Sequence, residues 1–280
     1  MSVHLQTTEP LAVLISCYNN WTSLERGLVS LEAQTDRRFV VFLADDGSGP
    51  AFVEQLRSWR AGSALEVEHI WHEDIDFRKA EILNKAARAA ECRYLLFLDG
   101  DMVVRRDWVA AHRALARPRR YMTGGSHINI PAALQEALTA EDIRQQRLFD
   151  WRWLREKGIP EIRRYRRRLA SHGFRARLLD FLTPRRDSFV GCNSGCWRED
   201  FFTVGGFDQT FVYGGVDRDL GIRMANVGVR GTRHRYSLAA VHLDHPRPWR
   251  DPERVRRQKA ALKKRKRDHQ VRPDHELIGK

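Results

Sequence analysis

The chain has 280 residues, 42% of them hydrophobic, and its 49 Lys and Arg against 36 Asp and Glu give a formal net charge of +13. That length suits one large α/β domain with additions, and the hydrophobic fraction supports a substantial core. No apolar run approaches the roughly 18 residues that cross a bilayer, so a spanning helix is not expected, while the basic excess directs attention to anionic partners.

Leu11-Ala12-Val13-Leu14-Ile15 begins a buried strand reaching Cys17, and no basic stretch precedes it as in a signal peptide. Phe39 to Ala44 reads as a second strand. The turn-rich segments Tyr18-Asn19-Asn20 and Asp45-Asp46-Gly47-Ser48-Gly49 follow the two strands in turn. Between them, Leu24, Leu28 and Leu31 give Thr22 to Gln34 helical spacing, with Thr22 or Asn20 as the cap. Glu54 to Arg60 is the next predicted helix and Leu65 to Ile70 the third strand. Lys79 to Ala90, rich in Ala and Leu, is a further helix. It leads into the strand Tyr94-Leu95-Leu96-Phe97-Leu98 and the loop Asp99-Gly100-Asp101. Strands alternating with helices imply a parallel sheet with right-handed crossovers. Ligands of such sheets bind beyond the carboxyl ends of the strands, and a carboxylate pair there suits Mg²⁺ or Mn²⁺ held against substrate phosphates.

After Asp107-Trp108 the alternation changes. Ala110 to Ala116 is a predicted short helix, Tyr121 to Ile130 a predicted strand, and Leu134 to Leu182 a charged helical region containing Arg163-Arg164-Tyr165-Arg166-Arg167-Arg168. Trp151, Trp153, Phe174 and Phe181 interrupt the charge. Two readings stand: amphipathic helices that lay these aromatics on the body, or a surface for a membrane or an anionic acceptor. From Ser188 the chain is punctuated by glycine, in Gly191-Cys192-Asn193-Ser194-Gly195, Gly205-Gly206-Phe207-Asp208 and Gly214-Gly215-Val216-Asp217-Arg218-Asp219. Leu220 to Ala225 continues a helix whose first turn holds Asp217 or Asp219. Glu253 to Lys266 reads as a basic helix that frays. Cys17, Cys92, Cys192 and Cys196 lack zinc-type spacing and are expected as buried thiols of a reducing compartment. The expected division is a nucleotide-sugar-binding half (1–130), a basic helical insertion (131–187), an acceptor and catalytic half (188–250) and a basic tail (251–280).

The strand ending in Cys17-Tyr18-Asn19-Asn20, then Asp45-Asp46-Gly47-Ser48, then Asp99-Gly100-Asp101, then Gly214-Gly215-Val216-Asp217-Arg218-Asp219-Leu220, in this order, resemble the inverting GT-A glycosyltransferases of family 2. The likeness is greatest to members with a galactosyltransferase-type C-terminal motif, such as bacterial chondroitin-type polymerases and β-1,4-galactosyltransferases. It covers roughly Leu11 to Asp107 and Ser188 to His245. The resemblance implies a GT-A fold, Rossmann-like with a mostly parallel sheet flanked by helices, to which the basic insertion and basic tail are additions.

It also implies roles. Asp45 or Asp46 would accept from the uracil N–H, with the Ser16 to Asn19 backbone, including Tyr18, nearby. Phe77-Arg78-Lys79-Ala80-Glu81-Ile82-Leu83-Asn84 would bring Arg78 or Lys79 to the diphosphate, with Asn84 in the same donor segment. Asp101 would ligate Mn²⁺ or Mg²⁺ directly, and Asp99, with Gly100 between them, would bind the ribose and a metal-bound water. His245, or alternatively His242, would complete the metal site. Asp217 would be the general base, with Asp219 the alternative. Gly191 and Asn193 to Gly195 would line the donor sugar, and Tyr213, beside Gly215, and Phe211 would stack on it. Val216 departs from the family, in which many members carry an acceptor-binding glutamate there.

The activity implied is transfer of a hexose or N-acetylhexosamine from a UDP-sugar to a glycan or lipid-linked glycan. A cytoplasmic location follows as an expectation, with weak peripheral attachment to an anionic membrane surface. Two other classes remain open: a nucleotidyltransferase, which lacks here a Gly-rich, lysine-bearing triphosphate loop, and a non-catalytic basic module. Nucleic acid is not an expected partner, because no recognised motif accompanies the arginines.

Overall fold

The structure, a computed structural model, describes residues 9–125, 128–159, 162–184, 188–211, 215–245 and 252–274. β1 (Leu11–Cys17) is covered on both faces and so is apolar at nearly every position. α1 (Trp21–Glu32) begins where the Asn20 side chain accepts the Ser23 N–H. β2 (Phe39–Asp45) follows, and α2 (Pro50–Gly62) starts four residues before the predicted Glu54 because Pro50 occupies the first turn, where no N–H is needed. β3 (Val67–Trp71), α3 (Lys79–Ala89) and β4 (Tyr94–Asp99) complete the alternating half. Cys17 lies opposite Asp45 and Ser16 opposite Asp99, so the carboxyl ends of β1, β2 and β4 meet at one edge.

β5 (Met102–Val104) and α4 (Trp108–Leu115) lead to a departure from expectation. The single strand expected over Tyr121 to Ile130 is two, β6 (Arg120–Thr123) and β7 (Ile128–Ile130), in different sheets. Gly124 and Gly125 divide them. Gly125 has φ of +69°, and a Cβ on Gly124 would lie 2.1 Å from Asn193 Nδ2. The insertion then forms α5 (Ala132–Glu136), α6 (Ala140–Arg144), α7 (Trp151–Glu156), α8 (Arg166–Ala170) and α9 (Gly173–Leu182). Beyond it come β8 (Asn193–Trp197), α10 (Arg198–Thr203), α11 (Val216–Asn226), β9 (Arg230–Arg233), β10 (Ala240–Leu243) and α12 (Pro252–Arg267).

The main sheet has seven strands in the order β3-β2-β1-β4-β8-β6-β9, parallel from β3 to β4, with β8 antiparallel to both neighbours. Alternate residues of β1 enter two apolar layers: Leu11, Val13 and Ile15 one, Ala12 and Leu14 the other. A smaller sheet, β5-β10-β7, sets His242 opposite Met102, next in sequence to Asp101.

The insertion is more than solvated helices. Leu134, Leu148, Leu154, Ile162 and Leu169 form a third core with Val103, Val241 and Leu243 of the small sheet, and Trp151 and Trp153 pack against it. Phe174 and Phe181 do not, being 80% and 78% exposed, so packing on the body holds for the two tryptophans alone. Nor is α12 a frayed tail. Leu262 and Arg265 are buried, and the Arg265 guanidinium pairs with Asp208 and, through Nε at 2.6 Å, with Asp219 of α11.

Candidate active site

Asp101 follows the carboxyl end of β4, where the chain turns into β5. The Nε2 atoms of His242 and His245 approach its Oδ2 at 3.2 and 3.0 Å, so both histidines, rather than one of the two, reach this carboxylate. Backbone pairing holds the approach, for the Leu243 N–H donates to the Asp101 carbonyl at 2.8 Å. Although burial opposes ionisation, hydrogen bonds from the two imidazoles hold the Asp101 carboxyl well below the usual carboxylate range. Its Oδ1 is buried without a hydrogen-bond partner, and the ligand atoms of the three residues lie within 4.8 Å of one another. Two imidazole nitrogens and a carboxylate with a spare oxygen are a donor set that Mn²⁺ accepts.

Asp99 belongs to a different contact. Its Oδ1 accepts from Ser16 Oγ at 3.0 Å and from Lys79 Nζ at 2.6 Å, and among the described residues it stands outside the cluster of Asp101, His242 and His245. Gly100 turns the chain between the two aspartates, its N–H donating to the Ser16 carbonyl at 2.8 Å; a Cβ there would lie 3.1 Å from that oxygen. Lys79 is the first residue of α3, at the carboxyl edge of the sheet. Burial disfavours its charge, yet the fields of Asp99, Asp217 and Asp101 together raise its pKa. One ammonium therefore contacts Asp99 and lies within the fields of Asp101 and Asp217.

Asp217 lies in the first turn of α11, partly buried. Burial first, and Asp99 next among the acids, raise its pKa, while Lys79 and the Gly191 N–H oppose the rise. Gly191 was expected to line the donor sugar. It lies against this carboxylate, where a Cβ would come within 2.4 Å of Asp217 Oδ1, so no other residue fits without displacing it. Cys192, not expected in the site, is held as a protonated thiol by burial and by the fields of Asp99 and Asp217.

The two loops after β1 and β2 brace one another. Asn19, in the left-handed region at φ of +48°, donates its N–H to Ser48 Oγ at 2.8 Å, and its Oδ1 accepts from the Gly49 N–H at 2.9 Å. Asp45 is fully buried, bonded to the Ser48 N–H and His69 Nε2, so uracil cannot reach its carboxylate in this arrangement. Asp46 bonds His72 Nε2 at 2.7 Å and the Arg78 N–H at 3.0 Å. His69 and His72 escaped the sequence reading, although they lie in and just after the strand adjoining the Asp45 loop. Tyr18 is half exposed, its hydroxyl donating to Asp74 at 3.0 Å.

Several expected contacts fall elsewhere. The Arg78 guanidinium turns to the Glu73 carbonyl and to Glu81, leaving Lys79 as the cation at the acids. Asn84 is buried and exchanges two 2.8 Å hydrogen bonds with the Phe207 backbone, a tie between α3 and the glycine-punctuated half rather than a donor contact. Asn193, Ser194 and Gly195 are the first three residues of the buried strand β8, so they do not line a sugar; at Gly195 a Cβ would lie 2.8 to 2.9 Å from Leu96, Tyr94 and His112. Asp219 is fully buried between Arg223 (2.6 Å) and Arg265, a structural ion pair that leaves it no path to an acceptor. Gly215 caps α11, where a Cβ would strike the Phe211 ring, and Val216 is buried in the core. Tyr213 and Gly214 lie outside the described residues.

Comparison with known proteins agrees with the motif order. The model of Glycosyl transferase family 2 matches residues 12–201, and that described as N-terminal domain of galactosyltransferase matches residues 181–246. The chain is 29% identical over 253 residues to validoxylamine A glucosyltransferase of Streptomyces hygroscopicus subsp. jinggangensis, covering 83% of this chain and 56% of that one. It is 27% identical over 241 residues to chondroitin synthase of Escherichia coli, covering 78% and 32%. This chain thus spans about half or less of the length of these relatives. Among solved structures, GalNAc-T7 with UDP, GalNAc and Mn²⁺ has a TM-score of 0.62 at 16% identity, covering 92% of this chain and 48% of that one. The mannosyltransferase PcManGT from Pyrobaculum calidifontis, in complex with GDP-Man and Mn²⁺, has a TM-score of 0.55 at 20% identity, covering 90% and 61%.

Proposed function

Because the chain belongs to glycosyl transferase family 2, we propose that it moves a hexose or N-acetylhexosamine from a UDP-sugar to a hydroxyl of a glycan or lipid-linked glycan, with inversion and with Asp217 as general base. The observation that carries this reading is the 2.6 Å pair of Lys79 Nζ with Asp99, two residues before the Asp101 that meets His242 and His245, with Asp217 near enough for its charge to raise the Lys79 pKa. The Mn²⁺ and nucleotide or nucleotide sugar of the two solved neighbours lend it support.

In this reaction the bond from the anomeric carbon to the diphosphate oxygen breaks, a bond to the acceptor oxygen forms, and the acceptor proton passes to the Asp217 carboxylate. Burial raises that carboxylate's proton affinity, which suits it to accept the proton late in bond formation. The Gly191 N–H holds it in place. Asp101, His242 and His245 would hold a divalent cation, which supplies Lewis-acid stabilisation of the charge on the departing diphosphate. Lys79 would add a positive charge beside Asp99.

The test is nucleoside diphosphate release from a panel of UDP-sugars, with GDP-mannose included, in the presence of Mn²⁺. Asp217→Asn should keep donor binding and lose about 100-fold or more of turnover, the lower range of general-base effects. An Asp101→Ala variant that binds donor and turns over like the parent protein defeats the proposal. Release of pyrophosphate instead points to nucleotidyl transfer.

A further inference from the structure

α9 has an outer face unlike any other helix of the insertion. Its inner side is held to the body by buried Ala176 and by Asp180, whose two carboxylate oxygens accept the N–H groups of Tyr236 and Ser237 at 3.0 Å each. The helix is therefore fixed in rotation. At about 100° per residue, Phe174, Leu178, Phe181 and Leu182 share an outward arc of roughly 100°. They are 80%, 42%, 78% and 62% exposed. Arg175 borders the arc on one side and Arg177 on the other, and both are exposed. An apolar stripe between two guanidinium groups whose stems can lie along it matches the boundary between acyl chains and anionic headgroups.

Charge separates this occupant from the alternatives. A second copy of a chain carrying +13 would bring Arg175 and Arg177 against like charges. The same insertion also bears an open hollow of about 560 Å³ lined by Trp151, Arg155, Arg163, Arg164, Arg166 and Arg167, which adds to the preference for anions. No helix among the described residues is long and apolar enough to cross a membrane, so attachment through α9 would be peripheral. We propose that the outer face of α9 is a docking surface for an anionic lipid bilayer, into which Phe174, Leu178, Phe181 and Leu182 insert while Arg175 and Arg177 meet the headgroups. This holds whatever sugar or acceptor the enzyme uses.

The experiment is flotation of the full chain with vesicles of phosphatidylcholine alone or with 30 mol% phosphatidylglycerol, at low salt and at about 0.15 M salt, where exposed charges are screened beyond roughly 8 Å. The double variant Phe174→Ser, Phe181→Ser retains every charge. We expect the parent protein to float with the anionic vesicles at both salt concentrations, and the double variant to lose about tenfold or more of its partition at the higher salt. Equal flotation of parent and variant, release of the parent by salt, or equal binding to the neutral vesicles each overturns the proposal. Sedimentation of the lipid-free parent as a dimer that the double variant abolishes also overturns it, in favour of a second copy. An unchanged thermal unfolding midpoint of the double variant confirms that the fold is intact.

Discussion

Lys79 Nζ lies 2.6 Å from Asp99 Oδ1, and the same ammonium feels the fields of Asp101 and Asp217. The first turn of α3 thus supplies the cation for an acid cluster drawn from the end of β4 and the start of α11.

Removing Lys79 as Lys79→Met takes away the charge that lowers the Asp217 pKa. Asp217 already stands above the ordinary carboxylate value through burial, and a base must be ionised to act. Activity should fall as pH drops through that raised pKa. In the variant the acidic limb should move to higher pH still, with the donor KM increased. A pH–rate profile whose acidic limb is unmoved in Lys79→Met would show that the ammonium does not govern the proposed base.

His242→Ala and His245→Ala should each weaken Mn²⁺ binding by more than the roughly 10- to 100-fold that follows loss of an outer partner of a metal ligand. Both imidazoles converge on Asp101. Titration calorimetry with Mn²⁺ alone reads this without an acceptor. If one histidine variant binds Mn²⁺ like the parent, that residue only buttresses the Asp101 carboxylate.

Asp219→Asn and Arg265→Ala should act on stability rather than on chemistry. Arg265 is a buried cation between Asp208 and Asp219, and breaking such a pair from one side costs roughly 3–5 kcal/mol. Denaturant unfolding should show that loss, while turnover per folded molecule stays near the parent value. A hundredfold loss of turnover with unchanged stability for Asp219→Asn would move the base from Asp217 to Asp219.

How much of this was legible beforehand depends on the range over which each feature is encoded. The β-α-β-α order from Leu11 to Asp99 repeats within short stretches of chain, as does the apolar run that ends in Asp99-Gly100-Asp101, and local burial imprints its period directly on sequence. The motif order was enough to indicate the family that the comparisons then supported. β8 was not legible, because Asn193-Ser194-Gly195-Cys196-Trp197 lacks the branched residues that announce a strand, and its Gly195 answers to Tyr94 and His112, which leave no room for a Cβ.

What the sequence by itself determined was the parallel half-sheet, the acidic loop at its carboxyl edge and a short set of aspartates and histidines able to do chemistry there. Only the tertiary structure decided among them. It turned Lys79 rather than Arg78 to the acids and closed Asp45 inside its own loop. It brought both His242 and His245 to an aspartate more than 140 residues earlier, and left Phe174 and Phe181 facing solvent. The physical reason is register. Which side chain of a pair points to a site is set by how distant strands align and how a helix is rotated on the core, and neither alignment nor rotation is written in any local run of residues.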